Sequence, residues 1–182
     1  MIGQLAKLGT AFGLTGALLF YGIVHSTPSA SLPELENLPA LSAQAKQKEL
    51  PILLLFSAQW CEYCTVLKEQ VLEPMMLGGL YEGRYVYLRQ VSLEEDHPIV
   101  DWHGKTLTKR QWAYQLGADL TPTLLFVDGN GKEVAERITG IPELTLFAGL
   151  IHNRLNQAYQ NMELNKRIPS TPEQLAAMPA SP

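Results

Sequence analysis

Apolar and polar positions alternate between two periods along this chain, and the switches mark its elements. Ile52-Leu-Leu-Leu-Phe56 is an uninterrupted apolar run closed by small and polar residues, the pattern of a strand buried on both faces. Directly after it, apolar positions at 64, 67 and 71 fall at helical spacing, so a tight turn and a helix over Thr65–Leu72 are predicted. Glu73-Pro74 ends or kinks that helix. Upstream, Leu41 to Glu49 is helix-prone and stops before Pro51. Arg84 to Val91 alternates and is rich in β-formers, which predicts a strand. From Ser92 to Leu107 the pattern breaks, and Thr108 then caps a helix through Leu116. Leu124–Val127 and Glu133–Ile138 predict a hairpin across Asp128-Gly-Asn-Gly131. Leu144, Phe147, Ile151, Leu155 and Ala158 share one face of a last helix.

Both cysteines of the chain, Cys61 and Cys64, lie at the strand-to-helix switch. A cysteine there meets unpaired backbone N–H groups and the positive end of the helix dipole, which favour the thiolate, the nucleophilic form. One helical turn on, the second cysteine is placed to attack a mixed disulfide formed by the first. Two cysteines make no disulfide scaffold but suit one redox pair. A zinc site needs about four ligands, and the histidines at 25, 97, 103 and 152 lack paired spacing. Thr65 stands where haem attachment needs a histidine. His97 and His103 read as solvated loop residues, and Trp102 and Trp112 as packing of the irregular segment against the domain rather than a substrate surface.

The stretch Trp60-Cys61-Glu62-Tyr63-Cys64 after a central strand, followed in order by Gly117-Ala-Asp-Leu-Thr-Pro-Thr-Leu-Leu-Phe-Val-Asp-Gly-Asn-Gly-Lys132 and Gly140, resembles the thioredoxin superfamily from about Leu41 to Tyr159. The resemblance implies an α/β fold with a central mixed sheet flanked by helices. It implies an exposed attacking Cys61, a buried resolving Cys64, Trp60 beside the pair and a cis Pro122 facing the disulfide. Thr121 before that proline would offer backbone groups to an extended substrate. Two departures stand out. Leu55 occupies the position of the buried acid that aids proton transfer in cytoplasmic thioredoxins, and Glu62-Tyr63 replaces Gly-Pro. Glu62 brings a negative charge near Cys61, which opposes the very acidic thiol of a strong oxidant.

The expected function is therefore a thiol–disulfide oxidoreductase that reduces protein disulfides through Cys61 and Cys64, with no cofactor and no metal. The competing readings are a disulfide oxidase or isomerase and a copper-handling assembly chaperone. An isomerase usually needs a dimerisation module, and copper-delivery relatives commonly space their cysteines by three residues.

Length and charge refine the picture at the ends. The chain has 182 residues, 46% hydrophobic and 18% charged, enough for one packed domain with extensions. A formal charge of −4 gives no basic footprint, so no nucleic-acid partner is expected. Met1–Ala30 reads as a signal peptide or membrane anchor: Lys7 precedes an uncharged run from Leu8 to Val24. Either would place the domain in the periplasm, soluble or anchored to the inner membrane, beside a membrane or periplasmic electron donor. Residues 31–40 are expected to be a linker, 41–160 the domain and 161–182 a mobile tail, with Thr171-Pro-Glu173 as a possible short helix start.

Overall fold

The computed structural model describes residues 31–179 apart from Asp96. The Met1–Ala30 expectation lies outside these residues. Among those described, no helix is long and apolar enough to cross a membrane.

The central strand β1 (Ile52–Ser57) is buried along its whole length, as its unbroken apolar run requires. Side chains alternate across a strand, so Leu53 and Leu55 join one core cluster while Ile52, Leu54 and Phe56 join another. β1 lies between β2 (Tyr87–Ser92), which runs parallel to it, and β5 (Thr123–Val127), which runs antiparallel. β6 (Glu133–Thr139) completes a four-stranded mixed sheet of order β2-β1-β5-β6. The Leu53/Leu55 face packs against α2 (Glu62–Leu67), α3 (Glu73–Met76), α5 (Phe147–Asn161) and α6 (Pro172–Ala176). The opposite face is covered by α1 (Leu38–Lys48), α4 (Lys109–Gln115) and the short ribbon of β3 (Ile99–Val100) with β4 (Thr106–Leu107). This is the expected mixed sheet flanked by helices.

Local chemistry explains most boundaries. α2 passes through a π-helical turn, Lys68–Leu72, into α3. Pro74 supplies no N–H and would collide with the carbonyl four residues back, and the wider turn accommodates it, so the helix bends rather than stops. Thr108 and Gln111 form a reciprocal capping box at the start of α4, as predicted from Thr108. β2 begins later than the predicted Arg84 because Tyr81 O collects the N–H groups of Arg84, Tyr85 and Val86 in a turn.

The irregular segment 92–107 is anchored by Trp102, whose Nε1 donates to Ser42 Oγ at 3.0 Å and whose ring stands 5.3 Å from that of Trp112. Gly131, at φ +83°, lies against the Trp102 ring where a Cβ has no room. Both tryptophans pack the segment onto the domain, as their sequence context suggested. Asp101 Oδ1 accepts the N–H groups of Lys105 and His103, and these bonds hold its carboxyl below the usual range.

Two segments differ from expectation. Residues 31–40 are not a tether: Leu35 N–H donates to Gln90 O at 2.7 Å and Gln90 N–H to Pro33 O at 2.8 Å, so the segment lies along the edge of β2. Leu32, Leu35 and Leu38 are buried. Pro39, read as a linker residue, sits in the first turn of α1 behind an Asn37 cap that accepts from Ala40 N–H at 2.9 Å. The chain past 161 is not a free tail either. Ile168 and Leu175 enter the core, and the Asn156 side chain pairs with both N–H and C=O of Ile168. His152 Nδ1 donates to Pro169 O at 2.7 Å, which leaves its Nε2 to accept from Tyr81 O–H at 2.8 Å. Burial pushes His152 down and Tyr81 up from their ordinary values.

Candidate active site

The turn between β1 and α2 brings Cys61 to the N-cap of α2. Cys61 N–H donates to Ala58 O at 3.2 Å, closing the turn. The Cys64 N–H then points at Cys61 Sγ, 3.1 Å away. The two sulfurs are bonded, with Cα atoms 5.2 Å apart. Cys61 keeps 8% of its surface exposed and Cys64 only 1%. With Ala58 they form a small cluster separate from the two main cores. In the dithiol form the same Cys64 N–H and the first-turn N–H groups would stabilise a Cys61 thiolate.

Around the pair, Trp60 is 68% and Tyr63 69% exposed, so Trp60 is a surface platform rather than core packing. Glu62 is exposed in the first turn of α2. Leu55 is fully buried in an apolar cluster, so the central strand offers no carboxylate. The Thr121–Pro122 bond is cis. Thr123 pairs with Phe56 across β1 and β5, which sets Thr121 and Pro122 at the same sheet end as the cysteine turn. Gly140 N–H holds Pro122 O at 2.8 Å, and the β5–β6 ladder stops at Thr123–Thr139. Thr121 therefore lies beyond the ladder, with its backbone unpaired among the described residues. His97 and His103 are exposed in the 92–107 segment. Among the described residues no three His, Cys, Asp or Glu side chains converge on a metal-sized space.

Sequence reasoning missed two neighbours of the turn, Glu94 and Arg110. Glu94 Oε2 accepts Gln59 N–H at 3.1 Å. Arg110 lies 3.8 Å from Glu94 Oε1, and its guanidinium stands 5.9 Å from the centre of the Trp60 ring. The available signal was topological: Glu94 is the second residue past β2, and Leu93 N–H bonds Ser57 O, so it emerges at the carboxyl end shared with β1.

Residues 38–154 match the family described as a thioredoxin-like domain. No curated protein matches the chain. Among solved structures, one titled DsbH oxidoreductase is 18% identical with a TM-score of 0.49, and the match covers 80% of this chain and 94% of that one. Thioredoxin NaTrxh from Nicotiana alata is 20% identical with a TM-score of 0.47, covering 71% and 96%. A thioredoxin-fold protein from Helicobacter pylori is 17% identical with a TM-score of 0.46, covering 82% and 84%. With the matched residues spanning the sheet, the paired cysteines and the cis-proline strand, the chain belongs to the thioredoxin-like domain family.

Proposed function

We propose that this protein is an extracytoplasmic thiol–disulfide oxidoreductase that reduces disulfides in protein substrates. The observation that carries the reading is the asymmetry of one pair: Cys61 at the helix start, its Sγ accepting Cys64 N–H and keeping 8% of its surface exposed, and Cys64 one turn behind it with 1%. The Cys61 thiolate attacks one sulfur of a substrate disulfide. A Cys61–substrate bond forms, the substrate S–S bond breaks, and the departing thiolate takes up a proton. The Cys64 thiolate then attacks Cys61 Sγ, the second substrate thiolate leaves and is protonated, and the enzyme disulfide is formed. Two electrons have passed to the substrate. An external dithiol donor, in the periplasm or the membrane, returns the pair to the reduced state.

The direction rests on charge near the thiol. Glu62 in the first turn of α2 opposes the stabilised thiolate that makes a strong oxidant. The potential is expected nearer the roughly −270 mV of thioredoxin than the roughly −120 mV of the periplasmic oxidase. Glu62→His replaces that charge by a potential cation. A change of about 1 kcal/mol at a helix N-terminus corresponds to about 20 mV. Equilibration against dithiothreitol or glutathione buffers should show the variant more oxidising. No shift would contradict the electrostatic argument.

The reductase reading is tested by insulin reduction with dithiothreitol as donor and by alkylation trapping of the pair in cells. Catalysed precipitation of insulin and a mostly dithiol pair are expected; a mostly disulfide pair would favour the oxidase. Location is supported by the uncharged run from Leu8 to Val24 behind Lys7. A fusion of residues 1–30 to a reporter active only outside the cytoplasm should give signal, and a silent fusion would contradict export.

A further inference from the structure

We infer that Glu94 and Arg110 form a clasp that positions the Cys61 turn, with Glu94 as the principal positioning residue of the redox pair. The inference rests on the reading of Cys61 and Cys64 as a thiol–disulfide exchange pair and adds two residues to its machinery. The turn Ala58–Cys61 has two inner residues, Gln59 and Trp60, and each is held from outside by the clasp. Glu94 Oε2 takes the Gln59 N–H at 3.1 Å. Arg110, on α4, lies over the Trp60 ring at 5.9 Å and 3.8 Å from Glu94 Oε1. The third support is internal, the Cys61 N–H to Ala58 O bond at 3.2 Å. Together they fix the turn whose geometry lays Cys61 Sγ on the Cys64 N–H.

Glu94 is an expensive way to hold a turn. Its Oε1 is shielded from solvent and has no hydrogen-bond partner among the described residues, only the nearby guanidinium. A buried carboxylate oxygen without a donor costs free energy, and stability alone would favour a neutral acceptor. The carboxylate gives what a neutral group lacks: a charge-assisted bond to Gln59 N–H and an attraction that keeps the otherwise exposed Arg110 over Trp60. Lys109, the residue before Arg110, is committed to Glu34 at 2.6 Å.

Two effects of Glu94 on Cys61 have opposite sign, which makes the inference testable. Its negative charge disfavours the thiolate, whereas its hold on the turn favours the thiolate by keeping the Cys64 N–H on Sγ. If positioning dominates, Glu94→Ala weakens the thiolate; if only charge matters, it strengthens it. The experiment measures alkylation of reduced Cys61 by iodoacetamide against pH in the full chain, well below the melting temperature. This readout needs no catalytic turnover, so it fails or succeeds apart from the reductase reading, which the wild-type insulin assay reports. Glu94→Ala should move the rate midpoint to higher pH and slow reaction at neutral pH on the order of tenfold. Glu94→Gln keeps an acceptor for Gln59 N–H but gives up the attraction for Arg110, so it should slow reaction about threefold, between wild type and Glu94→Ala. Arg110→Ala, at an exposed side chain, should slow reaction about threefold and serves if Glu94→Ala does not fold. A midpoint unchanged or lowered in Glu94→Ala, Glu94→Gln as impaired as Glu94→Ala, or Arg110→Ala at the wild-type rate would each overturn the clasp.

Discussion

Cys61→Ser is expected to lower insulin reduction on the order of 10³-fold or more, to the level of dithiothreitol alone. A serine hydroxyl carries almost no oxyanion at neutral pH, so the attack that opens the substrate disulfide is lost outright. Buried Cys64 cannot replace it: with 1% of its surface exposed, it lies out of reach of a protein disulfide. Cys64→Ser differs in kind. Cys61 still attacks, but no internal thiolate releases the mixed disulfide, so turnover falls while a covalent complex accumulates. The check is an initial-rate comparison of both variants at equal concentration. Wild-type rates in Cys61→Ser would remove the assigned roles.

The second large effect is on stability, at a position the sequence pattern assigned to a linker. Glu34→Ala should destabilise the domain by about 3 kcal/mol. Lys109, 3% exposed, places its Nζ 2.6 Å from Glu34 Oε1, with Glu95 further off at 3.9 Å. The same Glu34 carboxylate accepts Ser92 N–H and Ser92 Oγ–H, both at 2.8 Å. Removing it strands a buried ammonium and takes away the side-chain ties of the 33–35 segment to Ser92, leaving only its backbone bonds to Gln90. Lowering of the melting temperature by about 10 °C is the corresponding thermal shift. Urea unfolding of Glu34→Ala and of the Glu34→Ala/Lys109→Met pair measures it. The double variant should recover much of the loss, since no unpaired charge remains. A Glu34→Ala midpoint equal to wild type would mean that the segment is the loose connection its prolines first suggested.

The parts of this molecule that were legible in its sequence are those where one local rule decides. The Ile52–Phe56 run, the Thr108 cap and the Asp128–Gly131 turn each carry their own signal, and each element appears where that signal puts it. The cysteine pair was legible for the same reason, because strand, turn and helix start are contiguous. What escaped depends on contacts between distant positions. Glu34 and Glu94 look like ordinary surface acids until β2 brings Ser92 and α4 brings Lys109 to the first, and the cysteine turn meets the second. The C-terminal segment reads as mobile because its composition is Pro/Ser/Ala-rich, with few large apolar residues. Two of them, Ile168 and Leu175, suffice once Asn156 and His152 hold the intervening backbone. Leu55 was legible as a missing acid, but whether another carboxylate approaches the redox turn depended on where the chain went after β2.

The central claim is that Cys61 attacks and Cys64 resolves. Its most direct test is peptide mapping by mass spectrometry of Cys64→Ser after reaction with a disulfide-bonded protein substrate. The account predicts a covalent complex joined through Cys61 and reversed by dithiothreitol, with none formed by Cys61→Ser under the same conditions. No complex with Cys64→Ser while the wild-type chain reduces the same substrate, or an equal yield of complex through Cys64 in Cys61→Ser, would contradict it.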